Sequence, residues 1–159
     1  MIYLLQLILF CTLFIALVRL SAIGWGVNAL YFYPKDYQEI AYSRKIADRE
    51  DIRKKRKRFM LPFIFIMAAA LLLIIGVWNS AESFLSAYLQ SVLFLEVMNW
   101  FDGIVVDKLW VGHSRLWEVA GMEGIPYAQT WRQILKKRGL LTVIFLVLAA
   151  VPAGIIVLI

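Results

Sequence analysis

Three carboxylates and an amide interrupt one of the longest apolar runs of this sequence: Glu96, Asn99, Asp102 and Asp107 within "EVMNWFDGIVVDK". At about 100° per residue, Glu96, Asn99, Gly103 and Asp107 fall within about 80° of helical arc, with Asp102 offset to one side. A stripe of that kind is hard to leave against lipid, because an ionised Asp near mid-membrane costs roughly 2.5 to 3.5 kcal/mol even on the most forgiving scale. Three chemistries suit these residue types. A buried carboxylate can carry a proton or couple it to transport. Carboxylates brought together by oligomeric symmetry can supply oxygen ligands for hard cations such as Mg²⁺ or Ca²⁺. Near the interface, the same acids with His113 could perform acid and base catalysis on a lipid-like substrate.

Depth ranks the acids. If the helix enters from outside near Ser83, Glu96 lies about 20 Å in and close to the midplane, whereas Asp107 and Lys108 approach the opposite interface. A neutraliser is available in Arg19, the one basic residue outside two basic segments. The sequence predicts an ion pair from Arg19 to Asp102 or Glu96 between the first and third helices. Glu96, Asn99, Asp102, Asp107 and Arg19 are therefore the expected substrate- or ion-binding set.

These residues require a membrane scaffold. The chain has 159 residues, 62% of them hydrophobic, against about 45 to 50% for ordinary soluble domains. Mean hydropathy is +0.76. The runs at about 1–23, 59–78, 83–109 and 140–159 are each close to the roughly 20 residues that cross a hydrocarbon core. The expectation is an all-α integral membrane protein, a single four-transmembrane-helix bundle. The first run continues to Pro34 and must either tilt or leave the membrane near Gly24 and Gly26, and Trp25, Tyr31, Phe32 and Tyr33 suit an aromatic interface belt. Pro62 is expected near the start of its span, where a missing amide proton matters little, and Pro152 should kink the fourth span.

Charge orients the bundle. Ten of the seventeen Lys and Arg residues lie between Lys35 and Arg58, and six between Lys108 and Arg138, whereas 79–83 carries none. By the positive-inside rule both basic segments face the cytoplasm and both termini face outside, as in a bacterial inner membrane. The run Arg53, Lys54, Lys55, Arg56, Lys57 and Arg58 directly precedes a span, so it reads as a contact for anionic lipid headgroups and not for nucleic acid. The preceding 34–52, with spaced Ile40, Ile46 and Ile52, reads as a partly amphipathic helix near the headgroups.

The second basic segment, 110–139, is longer than a connection requires. Gly112, Gly121, Gly124 and Pro126 punctuate it, and Trp110, Trp117, Tyr127 and Trp131 give it interface-seeking bulk. A short amphipathic helix is expected from Pro126, with Tyr127, Trp131, Ile134 and Leu135 on its apolar side and Lys136, Lys137 and Arg138 beside lipid phosphates. This segment is a candidate lid over the third helix, with His113, Glu118 and Glu123 as its polar groups.

No HExxH pair, phosphate-binding glycine loop, CxxC or nucleophile elbow occurs, and no cofactor is expected. Cys11 is the sole cysteine, so no intrachain disulfide forms. The helix ending in "FDGIVVDKLW" with its following loop resembles small bacterial membrane proteins of unassigned function. Four short spans with a basic first loop also resemble the trimeric glutathione-handling membrane enzymes of eicosanoid metabolism in architecture. The second span, "FIFIMAAALLLIIGVW", lacks the Arg and Asn pattern of that group, so the resemblance implies no activity. The small residues Ala68, Ala69, Ala70 and Gly76 permit close helix contact, and a homo-oligomer is expected. Transport or permeation of a cation or small cationic solute is the leading expectation. A membrane-embedded enzyme for a lipophilic substrate is the alternative, and a non-catalytic accessory subunit a third.

Overall fold

A computed structural model describes residues 2–21 and 26–158, and every regular element among them is helical. Gly24 of the expected exit point and Trp25 of the expected belt lie outside the described residues. In chain order, α1 (Ile2–Ser21) is followed by a 3-10 helix (Gly26–Phe32) and the short α2 (Lys35–Ser43). The long α3 (Arg49–Trp78) and α4 (Phe84–His113) come next, and the chain closes with α5 (Trp131–Leu148) and α6 (Ala150–Leu158). Helices α1, α3, α4 and the α5–α6 pair are long and apolar enough to cross a membrane, so the chain has four candidate spans.

The second span and its basic run form one helix. Asp48 caps α3 by accepting from the amides of Glu50 and Asp51, both at 2.9 Å. Glu50 and Asp51 complement the helix dipole, and each meets a lysine four residues on, Lys54 at 3.4 Å and Lys55 at 2.7 Å. Helix thus begins well before the apolar run at Phe59, and Pro62 becomes an interior residue. Its missing N–H leaves the Arg58 carbonyl without an intrahelical donor, among charged residues at the basic end of the bundle.

Helix α5 likewise unites the expected amphipathic piece with the fourth span. It starts at Trp131 and not at Pro126, because Thr130 and Gln133 form a reciprocal capping box. The helix is interrupted at Ala149, three residues before Pro152, which cannot donate to the Leu148 carbonyl. The break lies where the kink is expected.

At the bundle centre, α4 packs along α5 and α6 on one side and α1 on another. Phe10 meets Phe94 edge-on at 5.6 Å, and Phe14 meets Phe63 at the same distance. The end opposite the basic segments is closed by amides. Gln6 and Asn79 exchange hydrogen bonds of 2.6 and 3.2 Å, and Asn79 also donates to Gln90 at 2.8 Å. This network ties α1, α3 and α4 together where a buried amide would otherwise be left unpaired.

Both α3 and α4 change hydrogen-bond register near one end, to π-helix at Leu73–Trp78 and at Asp102–Trp110. The Asn79 amide bonds to the Ile74 carbonyl and the Val111 amide to that of Val106, each five residues back. The second of these segments lies within the polar stripe of α4.

Candidate functional site

In an α-helix Asp102 and Asp107 would point about 140° apart. In the π segment that spans them, the wider turn brings residues five apart onto one side of the helix. Both carboxylates consequently face α5, where they grip one guanidinium. Arg138 Nη1 lies 2.6 Å from Asp102 and Nη2 lies 2.5 Å from Asp107, while Lys137 reaches Asp107 at 3.2 Å. The Arg138 side chain is 3% exposed, with Asp102 at 23% and Asp107 at 12%. Two positive and two negative charges therefore neutralise each other at close range.

Gly103 makes room for this arrangement. A Cβ there would stand 2.9 Å from both Cγ and Nε of Arg138 and 3.1 Å from Ile134. Deeper along the stripe, Asn99 donates to the Arg138 carbonyl at 3.1 Å and to Thr142 at 3.3 Å, and Thr142 donates to Glu96 at 2.6 Å. All four polar residues predicted on the third helix are thus engaged by α5.

The expected pairing with Arg19 is corrected. Arg19 is exposed on α1 and has no carboxylate partner among the described residues, and its place is taken by Arg138. Arg138 in turn is buried at 2% exposure and does not sit among lipid phosphates as expected, whereas Lys136 is exposed. The physical reason is spacing: Ile134, Arg138 and Thr142 recur every four residues on the α5 face that meets α4, and Lys136 lies off that face.

The 110–130 segment docks on the chain after α1. The Trp117 carbonyl is the anchor: it accepts from the Tyr33 hydroxyl, and its oxygen would lie 2.7 Å from a Cβ on Gly26. Tyr33 stacks on Tyr37 at 5.1 Å, Tyr127 meets both near 6 Å, and Trp110 meets Trp117 edge-on at 5.3 Å. Tyr33 is buried in this cap, while Tyr31 and Phe32 pack against Phe59. Burial pushes the Tyr33 phenol far up, with the neighbouring phenols adding to it, and also raises Tyr37 and Tyr127. Positive φ at Gly121 and Gly124 turns the segment back on itself, and Arg44 donates to the Gly121 carbonyl at 2.9 Å.

The polar groups assigned to the lid stay outside the site. His113 is exposed with Nδ1 3.0 Å from the Leu109 carbonyl, Glu118 is exposed, and Glu123 accepts from the Gly121 amide at 2.8 Å. That last bond draws the exposed Glu123 below the usual carboxylate range. Instead the segment contributes Trp117, Tyr127 and Gln129 to a cavity of about 200 Å³ beneath it. Phe14, Val18, Met60, Phe63 and Leu141 form its apolar wall, and Asp102, Asp107, Lys137 and Arg138 its charged end. A wider cleft of about 600 Å³ adjoins it, bordered by Lys35, Arg49, Arg53, Arg56 and Lys137 against the single acid Asp36. Phe32, Tyr33, Pro34, Gln129 and Lys137 line both spaces.

Among the described residues no three His, Cys, Asp or Glu side chains gather as a metal site would need. Comparison of the chain with protein-family models, with curated proteins and with solved structures finds no match.

Proposed function

We propose that this protein binds an amphiphile with an anionic headgroup at the cytoplasmic face of a bacterial inner membrane. The observation that carries this reading is the junction of a basic, open cleft with a smaller apolar-walled cavity through shared residues. The headgroup rests in the cleft among Lys35, Arg53, Arg56 and Lys137, and the chain enters between α1, α3, α4 and α5. The cytoplasmic assignment follows from the positive-inside rule, since both basic segments lie at this end.

Permeation of a cation draws less support. Asp102 and Asp107 are already neutralised by Arg138 and Lys137, and Glu96 accepts from Thr142. A cation entering the stripe would have to displace a buried guanidinium from two carboxylates. The alternative catalytic role for His113 is likewise weakened by its exposure outside both spaces. Cavity and cleft hold the reading together without requiring a chemical step.

Dodecyl phosphate binding to the protein in nanodiscs of zwitterionic lipid tests the proposal, read by tryptophan fluorescence. Met60→Trp, which fills the apolar wall, should abolish it, and Lys137→Gln should weaken it about tenfold, as loss of one charge-assisted contact implies. Unchanged binding in both variants would refute the site.

A further inference from the structure

We infer that the ligand is a single-chain lipid diphosphate, an inference that rests on the anionic-amphiphile reading and narrows its chemistry. Size argues for one chain. At roughly 30 Å³ for each water-sized group, the inner cavity of about 200 Å³ holds about seven such groups. That admits the first part of one hydrocarbon chain and excludes the paired acyl chains of a glycerophospholipid. The cleft, at about 600 Å³, has room for about twenty such groups, far more than one phosphate needs.

Charge argues for more than one phosphate. Five cations and one acid border the cleft. Arg49 is held by Glu39, Lys137 by Asp107, and Arg53 only loosely by Glu50 at 3.9 Å. Lys35 and Arg56 have no carboxylate partner among the described residues. Arg49, Arg53 and Arg56 stand four and three residues apart on one side of α3, a spacing at which like charges repel. A polyanion relieves that repulsion, and guanidinium forks match phosphate oxygens two at a time.

The arrangement of elements supports the same ligand. The first turn of α2 begins at Lys35, behind Pro34, with no side-chain cap on its amides. Pro34, Lys35 and Asp36 border the cleft, so the positive end of that helix adds to the basic field. Lys137, common to both spaces, stands where the diphosphate would meet the chain. The headgroup would draw its ammonium away from Asp107, leaving Arg138 as that carboxylate's remaining partner.

The test uses the full chain in nanodiscs of phosphatidylcholine, with geranyl diphosphate, geranyl monophosphate, geraniol and inorganic diphosphate as probes and affinity read by tryptophan fluorescence. Geranyl diphosphate should bind about tenfold more tightly than the monophosphate, one charge-assisted contact being worth that much, and should lose about that factor in Arg53→Gln with Arg56→Gln. Equal affinity for the two geranyl phosphates would overturn the diphosphate while leaving the anionic-amphiphile reading intact. Inorganic diphosphate binding as tightly as the geranyl ester would overturn the chain and point to a soluble anion. No binding of either ester above geraniol would remove both readings. Phosphatidic acid added to the nanodisc should not displace the geranyl ester, and displacement would refute the single-chain limit.

Discussion

Replacing Arg138 with Met should destabilise the protein severely, and the size of the effect follows from what it leaves behind. Two carboxylates, 23% and 12% exposed, would face each other with only Lys137 nearby. Removing one partner of a buried ion pair costs about 3 to 5 kcal/mol, and the partial exposure of Asp102 favours the lower end of that range. Against a total stability of about 5 to 15 kcal/mol, such a loss should be visible as lower expression and an earlier unfolding transition in micelles, followed by circular dichroism. Adding Asp102→Asn and Asp107→Asn removes the stranded charges, so the triple variant should recover most of the loss. Arg19→Met, by contrast, should change stability by no more than about 0.5 kcal/mol, since its side chain is exposed and without a carboxylate partner among the described residues. If Arg138→Met is as stable as the unaltered protein, or the triple variant is no better than the single, then the pairing does not hold α4 to α5.

Gly103→Ala should lower stability by about 1 to 3 kcal/mol through its clash with Arg138, whereas Gly139→Ala, whose Cβ meets nothing within 4 Å, should be neutral or stabilise the helix. Paired thermal melts of the two variants check this. Gly26→Ala should undock the 110–130 segment, seen as faster limited proteolysis near Glu118 while the spans stay protected, because its Cβ would lie 2.7 Å from the Trp117 carbonyl oxygen. Alkaline pH should loosen the same cap. Burial raises the Tyr33, Tyr37 and Tyr127 phenols above the ordinary value of about 10, so their stabilising contribution is complete below about pH 10 and is lost as pH rises through their folded values. Tyrosinate absorbance and protease sensitivity should rise together above that pH, and equal alkali sensitivity in a variant with all three changed to Phe would contradict the assignment.

The number of spans was legible because run length alone reports it: four apolar stretches became four long helices. The polar stripe was also legible, since Glu96, Asn99 and Asp107 share a face at ordinary helical spacing. Its partner was not. Lys136, Lys137 and Arg138 read as one headgroup-facing run, although Ile134, Arg138 and Thr142 already shared a face that would have placed Arg138 inward. The π segment left no mark in the sequence, because its register depends on what α5 offers to both acids, and no local propensity encodes that. The aromatic cap joins Tyr33 to Trp117 across 84 residues, a contact beyond the reach of any window of periodicity.

A π segment has a consequence for inheritance. Wider turns accommodate a residue that an uninterrupted α-helix would not, so loss of one codon between Gly103 and Val106 should leave α4 long enough to span while restoring α-helical register there. Asp102 would keep its place, and the carboxylate now at Asp107 would sit four residues on, about 40° around the helix and shifted along its axis. Membrane insertion should survive such a deletion, and so should the two-handed hold on Arg138, because residues four apart in an α-helix share a face much as residues five apart do in the π segment. Surveys of related chains should therefore find the two acids either five residues apart across a π segment or four apart in an unbroken α-helix, and rarely at other spacings.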